Sequence, residues 1–158
     1  MVEPKIVTID PIEVLYINKE GADIKSANTA WASMVAFSLE ANLLKDAICR
    51  YGIIHTSSTT QNTTASYDAC VAFNNMPSPS GEVLKKTISG GIYACFLHKG
   101  DYAEIEKTFH EIRHWIAENE VTLRDAAHFQ KYLDFDISGI KPEDLRTEIY
   151  VPIASYKG

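Results

Sequence analysis

A pattern of about 80 residues occurs twice in this chain of 158 residues, and the repeat limits what the chain can fold into. Three pairs of similar residues carry it: Gly21 and Gly100, Thr29 and Thr108, and Asp68 and Glu148. The first two pairs are 79 positions apart and the third is 80 apart. A unit of this length has room for one strand, one helix and two further strands, which is too little to bury a core well. We therefore expect two modules that share one core.

Alternation of apolar and polar residues, with many β-branched side chains, predicts the strands. They are expected at residues 5–9, 13–18, 53–56, 67–73, 84–88, 92–97, 129–133 and 146–153. Helical spacing of apolar residues predicts helices over 29–39 and 102–119. The fold class expected from these elements is a two-layer α+β arrangement.

The second helix carries the clearer signals. Asp101 is placed to cap it, and Glu104 follows three residues later, as in a capping box. Its core stripe at helical spacing is Ile105, Phe109, Ile112 and Ile116. The first helix has a comparable stripe of Ala30, Met34, Phe37 and Ala41 but no evident capping residue.

Segment composition suggests where the modules divide. Seven Ser or Thr residues between positions 57 and 66 predict a surface loop, and the stretch 74–81, with its two prolines, predicts a linker. We therefore treat 1–158 as one domain made of two modules. Its first module covers about 1–76, its linker about 77–81 and its second module about 82–158.

Charge and composition exclude several classes of protein. The net charge of -6 argues against neutralisation of phosphates, so nucleic acid is not expected as a partner. No apolar run approaches the roughly 18 residues of a membrane span, and the first ten residues do not resemble a signal peptide. A cytoplasmic location without membrane association is expected. Cys49, Cys70 and Cys95 are widely spaced and are expected to be free thiols.

The segment from His110 to His114 matches the HExxH pattern of zinc hydrolases. Both histidines would lie far from the core stripe on the same helix and so point towards solvent. The longer form of the motif also fails, since Ala117 and Glu120 stand where a glycine and a third histidine would be. A zinc hydrolase is therefore not favoured, and no metal or cofactor is expected.

Glu148 interrupts an otherwise apolar strand at 147–153. Strand geometry puts Ile149, Val151 and Ile153 on one face, and Glu148 with Tyr150 on the other. Two alternatives remain open: Glu148 is exposed or paired with Arg146, or it is an enclosed carboxylate that selects cations. Enclosure would also raise its pKa towards the range useful for acid and base chemistry.

Aromatic residues are available to line a cleft around Glu148, which we place between the two modules. The candidates from the second module are Tyr93, Phe96, Trp115, Tyr132 and Tyr150, and those from the first are Trp31 and Tyr67. In the first module, the strand equivalent to that of Glu148 presents Asp68, Cys70 and Ala72, whose small side chains would leave room for a ligand.

The order of several short motifs resembles the GyrI-like small-molecule-binding family of gyrase inhibitors. That family also supplies the effector-binding domain of multidrug-responsive transcription activators. The motifs are GGIYA at 90–94, HKGDY at 98–102, TF at 108–109, WI at 115–116, YL at 132–133 and PEDLRTEIYVPI at 142–153. Weaker matches at 12–21, 31, 51–53 and 67–69 extend the resemblance over nearly the whole chain.

The resemblance implies an antiparallel sheet made of two strand-helix-strand-strand (SHS2) modules related by a pseudo-twofold, with the helices on one face and a ligand groove between modules. It also implies that Glu148 meets cationic or polarised ligands and that Tyr93 and Tyr150 form walls of the groove. Strand-like sequence begins by Lys5, so we expect a stand-alone member without a DNA-reading segment.

Three functions remain in view. The leading one is a binding protein for amphipathic or cationic small molecules and xenobiotics. The second is a hydrolase of strained electrophilic xenobiotics, with Glu148 as general base and Tyr93 or Tyr132 assisting. The third is an inhibitor of a protein partner such as DNA gyrase.

Overall fold

A computed structural model describes residues 3–21, 23–41, 43, 46–58, 63–134 and 139–155. The strands are β1 (Lys5–Ile9), β2 (Ile12–Glu20), β3 (Ala47–Ser58), β4 (Thr63–Phe73), β5 (Leu84–Ile88), β6 (Gly91–Lys99), β7 (Thr122–Leu123), β8 (Phe129–Tyr132) and β9 (Arg146–Ser155). The helices are α1 (Ile24–Glu40) and α2 (Ile105–Glu118), and a single 3₁₀ turn, Tyr102–Glu104, leads into α2. Every strand pairing described below is antiparallel, and the predicted α+β class is confirmed.

The chain divides into two compact units. The N-terminal unit covers residues 12–88, and its strands lie in the order β3-β4-β2-β5. The C-terminal unit combines 1–11 with 89–158, and its strands lie in the order β8-β9-β6-β1, with β7 also pairing with β9. Each unit therefore has the same internal sequence of strand neighbours, which is what the 80-residue repeat predicts.

Corresponding glycines end the first long strand of each unit. Gly21 has φ of 93° and donates its backbone N–H to Ala65 at 2.8 Å, and Gly100 has φ of 139° and donates to Leu145 at 2.8 Å. Positive φ is costly for residues with a Cβ, so glycine is favoured at both turns. The repeat thus extends to turn conformation, while the pseudo-twofold relation between modules stays a prediction.

The boundaries of the units differ from those of the predicted modules. Strand β5 pairs with β2, so residues 84–88 belong to the N-terminal unit, and the predicted linker at 77–81 is a loop inside that unit. Strand β1 pairs with β6, so residues 5–9 belong with the second half of the chain. Strand pairing between distant segments decides both assignments, and sequence order alone does not reveal it.

Helix α1 begins five positions before the predicted start, because Asp23 caps it. The Asp23 carboxylate accepts the backbone N–H of Ser26 at 2.9 Å and its hydroxyl at 2.7 Å. The sequence analysis missed this cap. The helix packs Ala30 and Met34 onto the sheet of its unit, against a core formed by Leu15, Ile17, Tyr67, Ala69, Val71 and Phe73.

Helix α2 follows the predicted stripe. Ile105, Phe109, Ile112 and Ile116 pack on a core formed by Ala94, Phe96, Trp115, Ile149, Val151 and Ile153. The Asp101 carboxylate accepts the N–H of Ala103 at 3.0 Å, as expected of a cap. The predicted capping box is not formed in the usual way, because the Glu104 carboxylate pairs with Lys107 at 2.7 Å.

The predicted strands lie within observed ones, except that the strand predicted at 129–133 extends one residue beyond β8. Two regions were predicted wrongly. The predicted strand at 53–56 is the middle of the much longer β3. The predicted loop at 57–66 was wrong at both ends, which continue β3 and β4, and its centre at 59–62 lies outside the described residues. The two-residue β7 was not predicted. In the described part of the chain, neither helix is long and apolar enough to cross a membrane.

Replacing Ile112 with Ala tests the packing of α2. Ile112 is 4% exposed, so removing its side-chain carbons leaves a cavity, and we expect the free energy of unfolding to fall by about 3 kcal/mol. The matched control is His110→Ala on the exposed face, with an expected change within about 0.5 kcal/mol. Urea unfolding followed by circular dichroism measures both, and equal effects would contradict the assigned core face.

Candidate functional site

Glu148 lies on the face of the C-terminal unit that points away from α2. The register of β9 puts Glu148, Tyr150 and Pro152 on this face, opposite Leu97, Cys95 and Tyr93 of β6. Strand β8 adds Lys131 opposite Glu148 and Phe129 opposite Tyr150. We call this set the Glu148 face.

The Glu148 carboxylate is half-buried and accepts a hydrogen bond from the Tyr150 hydroxyl at 3.0 Å. The open alternative of an ion pair with Arg146 is not what the structure has. The Arg146 guanidinium instead lies 3.1 Å from the carboxylate of Asp134, which also accepts the backbone N–H of Arg146 at 2.7 Å. The contact described for Glu148 is therefore with a neutral donor, which leaves its negative charge in place.

Two weak acids surround this carboxylate and stay protonated. Burial is the main cause that raises the pKa of the Cys95 thiol to about 11, and the negative charge of Glu148 is the second. Burial is the main cause that raises the pKa of Tyr150 far above its usual range, and the charge of Glu148 and the hydrogen bond to it add to the effect. Both groups therefore act as neutral hydrogen-bonding side chains at physiological pH.

Three aromatic rings pack together beside Glu148. Phe129 and Tyr150 stack with centroids 4.5 Å apart and an interplanar angle of 9°. The buried Tyr93 meets Phe129 edge-on at 5.3 Å and Tyr150 at 6.0 Å. Its hydroxyl donates to the carbonyl of Ser89 at 2.6 Å, and the Arg124 guanidinium lies 4.8 Å from its ring centroid. The cluster fixes the position of Tyr150 and so of the hydrogen bond to Glu148.

Sequence reasoning missed Cys95 and three further members of the Glu148 face. Phe129 stacks on Tyr150, Leu97 is 50% exposed opposite Glu148, and Lys131 lies opposite Glu148 on the other side. For Leu97 the signal was present, because strand alternation from Tyr93 puts it on the same face. Phe129 and Lys131 depended on knowing that β8 pairs with β9, which one sequence does not give.

Three of the predicted aromatic residues lie on the opposite face of the same unit. Phe96 and Trp115 meet edge-on at 5.3 Å in the core beneath α2. Tyr132 is paired with Thr147 rather than Glu148, and its ring meets Tyr102 at 5.6 Å. The proposed grouping of these residues with Glu148 is corrected, because side chains alternate between the faces of a strand.

Trp31 and Tyr67 belong to the N-terminal unit. The indole N–H of Trp31, a residue of α1, donates to the Tyr67 hydroxyl at 2.8 Å. Tyr67 lies on the helix-covered face of the sheet, whereas Asp68 points to the other face. The structure thus joins these two aromatic residues to each other as part of the packing of α1.

Asp68 corresponds to Glu148 in the repeat. It is 1% exposed, and its carboxylate contacts three polar side chains. Asn18 Nδ2 donates to it at 2.7 Å, His55 Nε2 lies 2.6 Å away, and the Lys86 ammonium pairs with it. Burial alone would raise the pKa of Asp68, but the hydrogen bonds from Lys86, Asn18 and His55 outweigh it and hold the pKa below its usual range. Asp68 therefore does not leave the open space that the sequence suggested.

The histidines of the HExxH segment are exposed on α2. His110 and Glu111 face solvent, and His114 Nε2 lies 2.9 Å from the carboxylate of Glu118. Among the described residues, no group of three or more side chains is arranged to hold a metal ion. The motif thus lies on the solvent-exposed face of α2, away from any enclosed site within the described C-terminal unit.

Two surface pockets are not lined by Glu148 itself, although Leu97, opposite Glu148, lines the first of them. One, of about 600 Å³, is lined by the end of β6 and the start of α2, with charged residues of both signs including Lys99, Asp101 and Glu143. The other, of about 540 Å³, adjoins His55 and is lined also by Glu20, Thr56 and Thr64. Neither combines a buried carboxylate with aromatic rings, so the Glu148 face remains the better candidate.

Comparison with known proteins identifies the domain type. Residues 2–154 match the model of the GyrI-like small molecule binding domain. A search of curated proteins returns no match.

Solved structures with the same fold cover most of this chain. The EcmrR C-terminal domain is 14% identical with a TM-score of 0.76, over 98% of this chain and 99% of that domain. SAV2435, solved with bound tetraphenylphosphonium, is 16% identical with a TM-score of 0.66, over 97% of this chain and 94% of that one. A protein from Listeria innocua described as a hydrolase is 13% identical with a TM-score of 0.66, over 96% of this chain and 92% of that one. At these identities the likeness shows the fold.

The exclusion of nucleic acid as a partner is corrected by a further likeness. EcmrR in a complex with DNA matches 98% of this chain with a TM-score of 0.80 and 16% identity, and this chain spans 58% of that protein's length. The same fold therefore occurs within a DNA-bound protein. The net charge of one domain does not report what the rest of a longer protein contacts, so the charge argument did not support the exclusion.

Thiol reactivity tests the coupling between Cys95 and Glu148. At pH 8 we expect an aromatic disulfide reagent to modify the half-buried Cys49 first, and Cys70 and Cys95 much more slowly, because both are buried and burial raises the pKa of both thiols. Glu148→Gln removes a charge that raises the pKa of Cys95, so modification of Cys95 should become faster. Peptide mass spectrometry resolves the three rates.

Cys70 is the internal control for this experiment. Burial is the main cause that raises its pKa, to about 12, and Glu148 is not among the contributors, so its rate should not change. Equal acceleration of Cys70 and Cys95 in Glu148→Gln would indicate general loosening of the fold and would count against the coupling.

Proposed function

This chain belongs to the family of GyrI-like small-molecule-binding domains, and we propose that its ligands are amphipathic or lipophilic cations held beside Glu148. The observation that carries the proposal is a half-buried carboxylate whose described contact is with a neutral hydroxyl, next to a cluster of aromatic rings. The tetraphenylphosphonium bound to SAV2435, a protein of the same fold, supports this ligand class.

Electrostatics favours a cation at this place. No ion pair within 4.0 Å involves Glu148 among the residues that the structure describes. A partly buried charge of this kind attracts an opposite charge more strongly than an exposed one, because less water screens it. A lipophilic cation brings little hydration of its own, so its desolvation costs less than that of a small ion.

The neighbours of Glu148 set the shape and strength of the attraction. Leu97, half exposed on the adjacent strand, offers apolar surface to the hydrophobic part of a ligand. Lys131 lies opposite Glu148 on the other adjacent strand and carries a positive charge that opposes cation binding. The ligand affinity therefore depends on two charges of opposite sign on one sheet face.

Two substitutions of opposite sign test the proposal with tetraphenylphosphonium. Glu148→Gln should weaken binding about tenfold or more, which corresponds to about 1.4 kcal/mol. Lys131→Met should strengthen binding severalfold, because it removes a repelling charge and keeps much of the side-chain volume. Isothermal titration calorimetry measures both affinities.

Tetraphenylborate, similar in shape but negatively charged, is the matched control ligand. It should bind the wild type weakly and gain affinity in Glu148→Gln. If the two substitutions leave the preference for the cation over the anion unchanged, the proposed role of the Glu148 charge is wrong.

A hydrolase is the second candidate, and the Tyr150–Glu148 hydrogen bond favours it. In that case Glu148 would take a proton from water as the water oxygen forms a bond to a strained carbon, such as that of an epoxide. The epoxide C–O bond breaks, and the ring oxygen takes up a proton from solvent to give a diol. Tyr150 orients the carboxylate and stays protonated, as its raised pKa requires. The Listeria innocua neighbour described as a hydrolase is consistent with this chemistry on the fold.

Styrene oxide serves as a test substrate for this second candidate. We expect diol formation that is lost in Glu148→Gln and kept in Tyr132→Phe, since Tyr132 lies on the other face of the sheet. Chromatography of the products measures it. Diol formation at the rate of buffer alone, or equal in the wild type and Glu148→Gln, would remove the hydrolase from consideration.

A further inference from the structure

The N-terminal unit contains a cation beside a buried carboxylate, and the cation is its own Lys86. The Lys86 ammonium pairs with Asp68 Oδ2 and also lies 4.1 Å from the ring centroid of Tyr16. Asp68 is 1% exposed, whereas the Lys86 side chain is 26% exposed. The ammonium is thus held between a carboxylate and an aromatic ring, which is the arrangement that recognises organic cations.

The path of the Lys86 side chain follows from strand register. Lys86 is opposite Val14 on the neighbouring strand β2, and Asp68 is opposite Asn18 on the other side of β2. Tyr16 lies between Val14 and Asn18 on the same face. The long side chain therefore passes across the Tyr16 ring before it reaches the carboxylate.

The repeat identifies the counterpart of Lys86 in the C-terminal unit. Asp68 and Glu148 correspond at an offset of 80, and their opposite residues Asn18 and Leu97 correspond at 79. The same offset of 79 relates Val14 to Tyr93, and the residue opposite Tyr93 on the edge strand is Val7.

A valine thus occupies the position from which Lys86 reaches its carboxylate. By register the nearer cationic residues are Lys131, opposite Glu148, and Lys5, opposite Cys95 on β1. Neither forms an ion pair within 4.0 Å among the described residues. One unit therefore supplies its own cation from the edge strand, and the other does not.

From this geometry we infer that Asp68 and Tyr16 form a second cation site, which Lys86 fills and which accepts a primary alkylammonium when the lysine side chain is removed. The class of ligand follows from the contacts. Asp68 Oδ2 accepts a hydrogen bond from an N–H of the lysine, which a quaternary ammonium lacks, and the carboxylate is enclosed by Asn18 and His55 as well. A slender primary amine fits these constraints and a bulky cation does not.

The experiment is chemical rescue of Lys86→Ala. Loss of the ammonium leaves a buried carboxylate short of its main partner, so the variant should be markedly less stable than the wild type. n-Propylammonium replaces the atoms that the substitution removes, and at tens of millimolar it should raise the Tm of the variant by several degrees more than that of the wild type. Thermal unfolding followed by circular dichroism measures the shift.

Three controls separate site binding from a general effect of the salt. 1-Propanol has a similar shape without the charge, and tetramethylammonium has the charge without an N–H, so neither should rescue. Lys85→Ala on the same strand removes a lysine that lies 3.8 Å from the exposed Glu13, and it should show no specific response to n-propylammonium. In Lys86→Ala combined with Asp68→Asn the response should be lost.

The outcomes are decisive even if Lys86→Ala does not fold unaided. In that case the refolding yield is measured with n-propylammonium and with 1-propanol, and a higher yield with the amine supports the site. Equal effects of amine and alcohol, or a response in Lys85→Ala equal to that in Lys86→Ala, would overturn the inference. Any binding of the amine at Glu148 affects the wild type and Lys86→Ala alike, so the difference between their shifts is independent of the proposed function.

Discussion

The structure depends on how the cost of burying a carboxylate is compensated when the other face of its strand packs in the core. In each unit one of the two central strands carries such an acid, Asp68 on β4 and Glu148 on β9. Strand β4 buries Val71 and Phe73 beneath α1, and β9 buries Ile149 and Val151 beneath α2. The strands cannot turn over to expose the acids without exposing this apolar surface. Compensation therefore has to come from neighbouring side chains.

The two units use different chemical groups for this purpose. Asp68 accepts hydrogen bonds from charged and polar donors. Among them, Lys86 supplies a full positive charge that balances the charge of the carboxylate. Glu148 receives the hydroxyl of Tyr150, whose hydrogen bond lowers the cost of partial burial but does not cancel the charge. The same arrangement of strands and helix thus holds one carboxylate that pairs with a cation and one that is hydrogen-bonded to a neutral hydroxyl.

The sequence predicted features that depend on local periodicity. Alternation within 147–153 placed Glu148 and Ile149 on different faces of the strand, and helical spacing placed Ile112 in the core and His110 outside it. Features that depend on which strands pair were not accessible. The stacking of Phe129 on Tyr150, the transfer of β1 to the C-terminal unit and the reach of Lys86 to Asp68 all require register between distant segments. Asp23 was a local signal that was overlooked.

Residue type at one edge-strand position explains much of the difference between the units. Lysine at position 86 has a long apolar stem that covers Tyr16 and a charge that reaches Asp68, whereas valine at position 7 ends close to its own strand. A lysine at this edge-strand position therefore gives the carboxylate of its unit an internal cation, and a valine at the corresponding position does not. Both units carry an acid at the corresponding strand position, but Glu148 has no counterpart of the Lys86 ammonium at position 7.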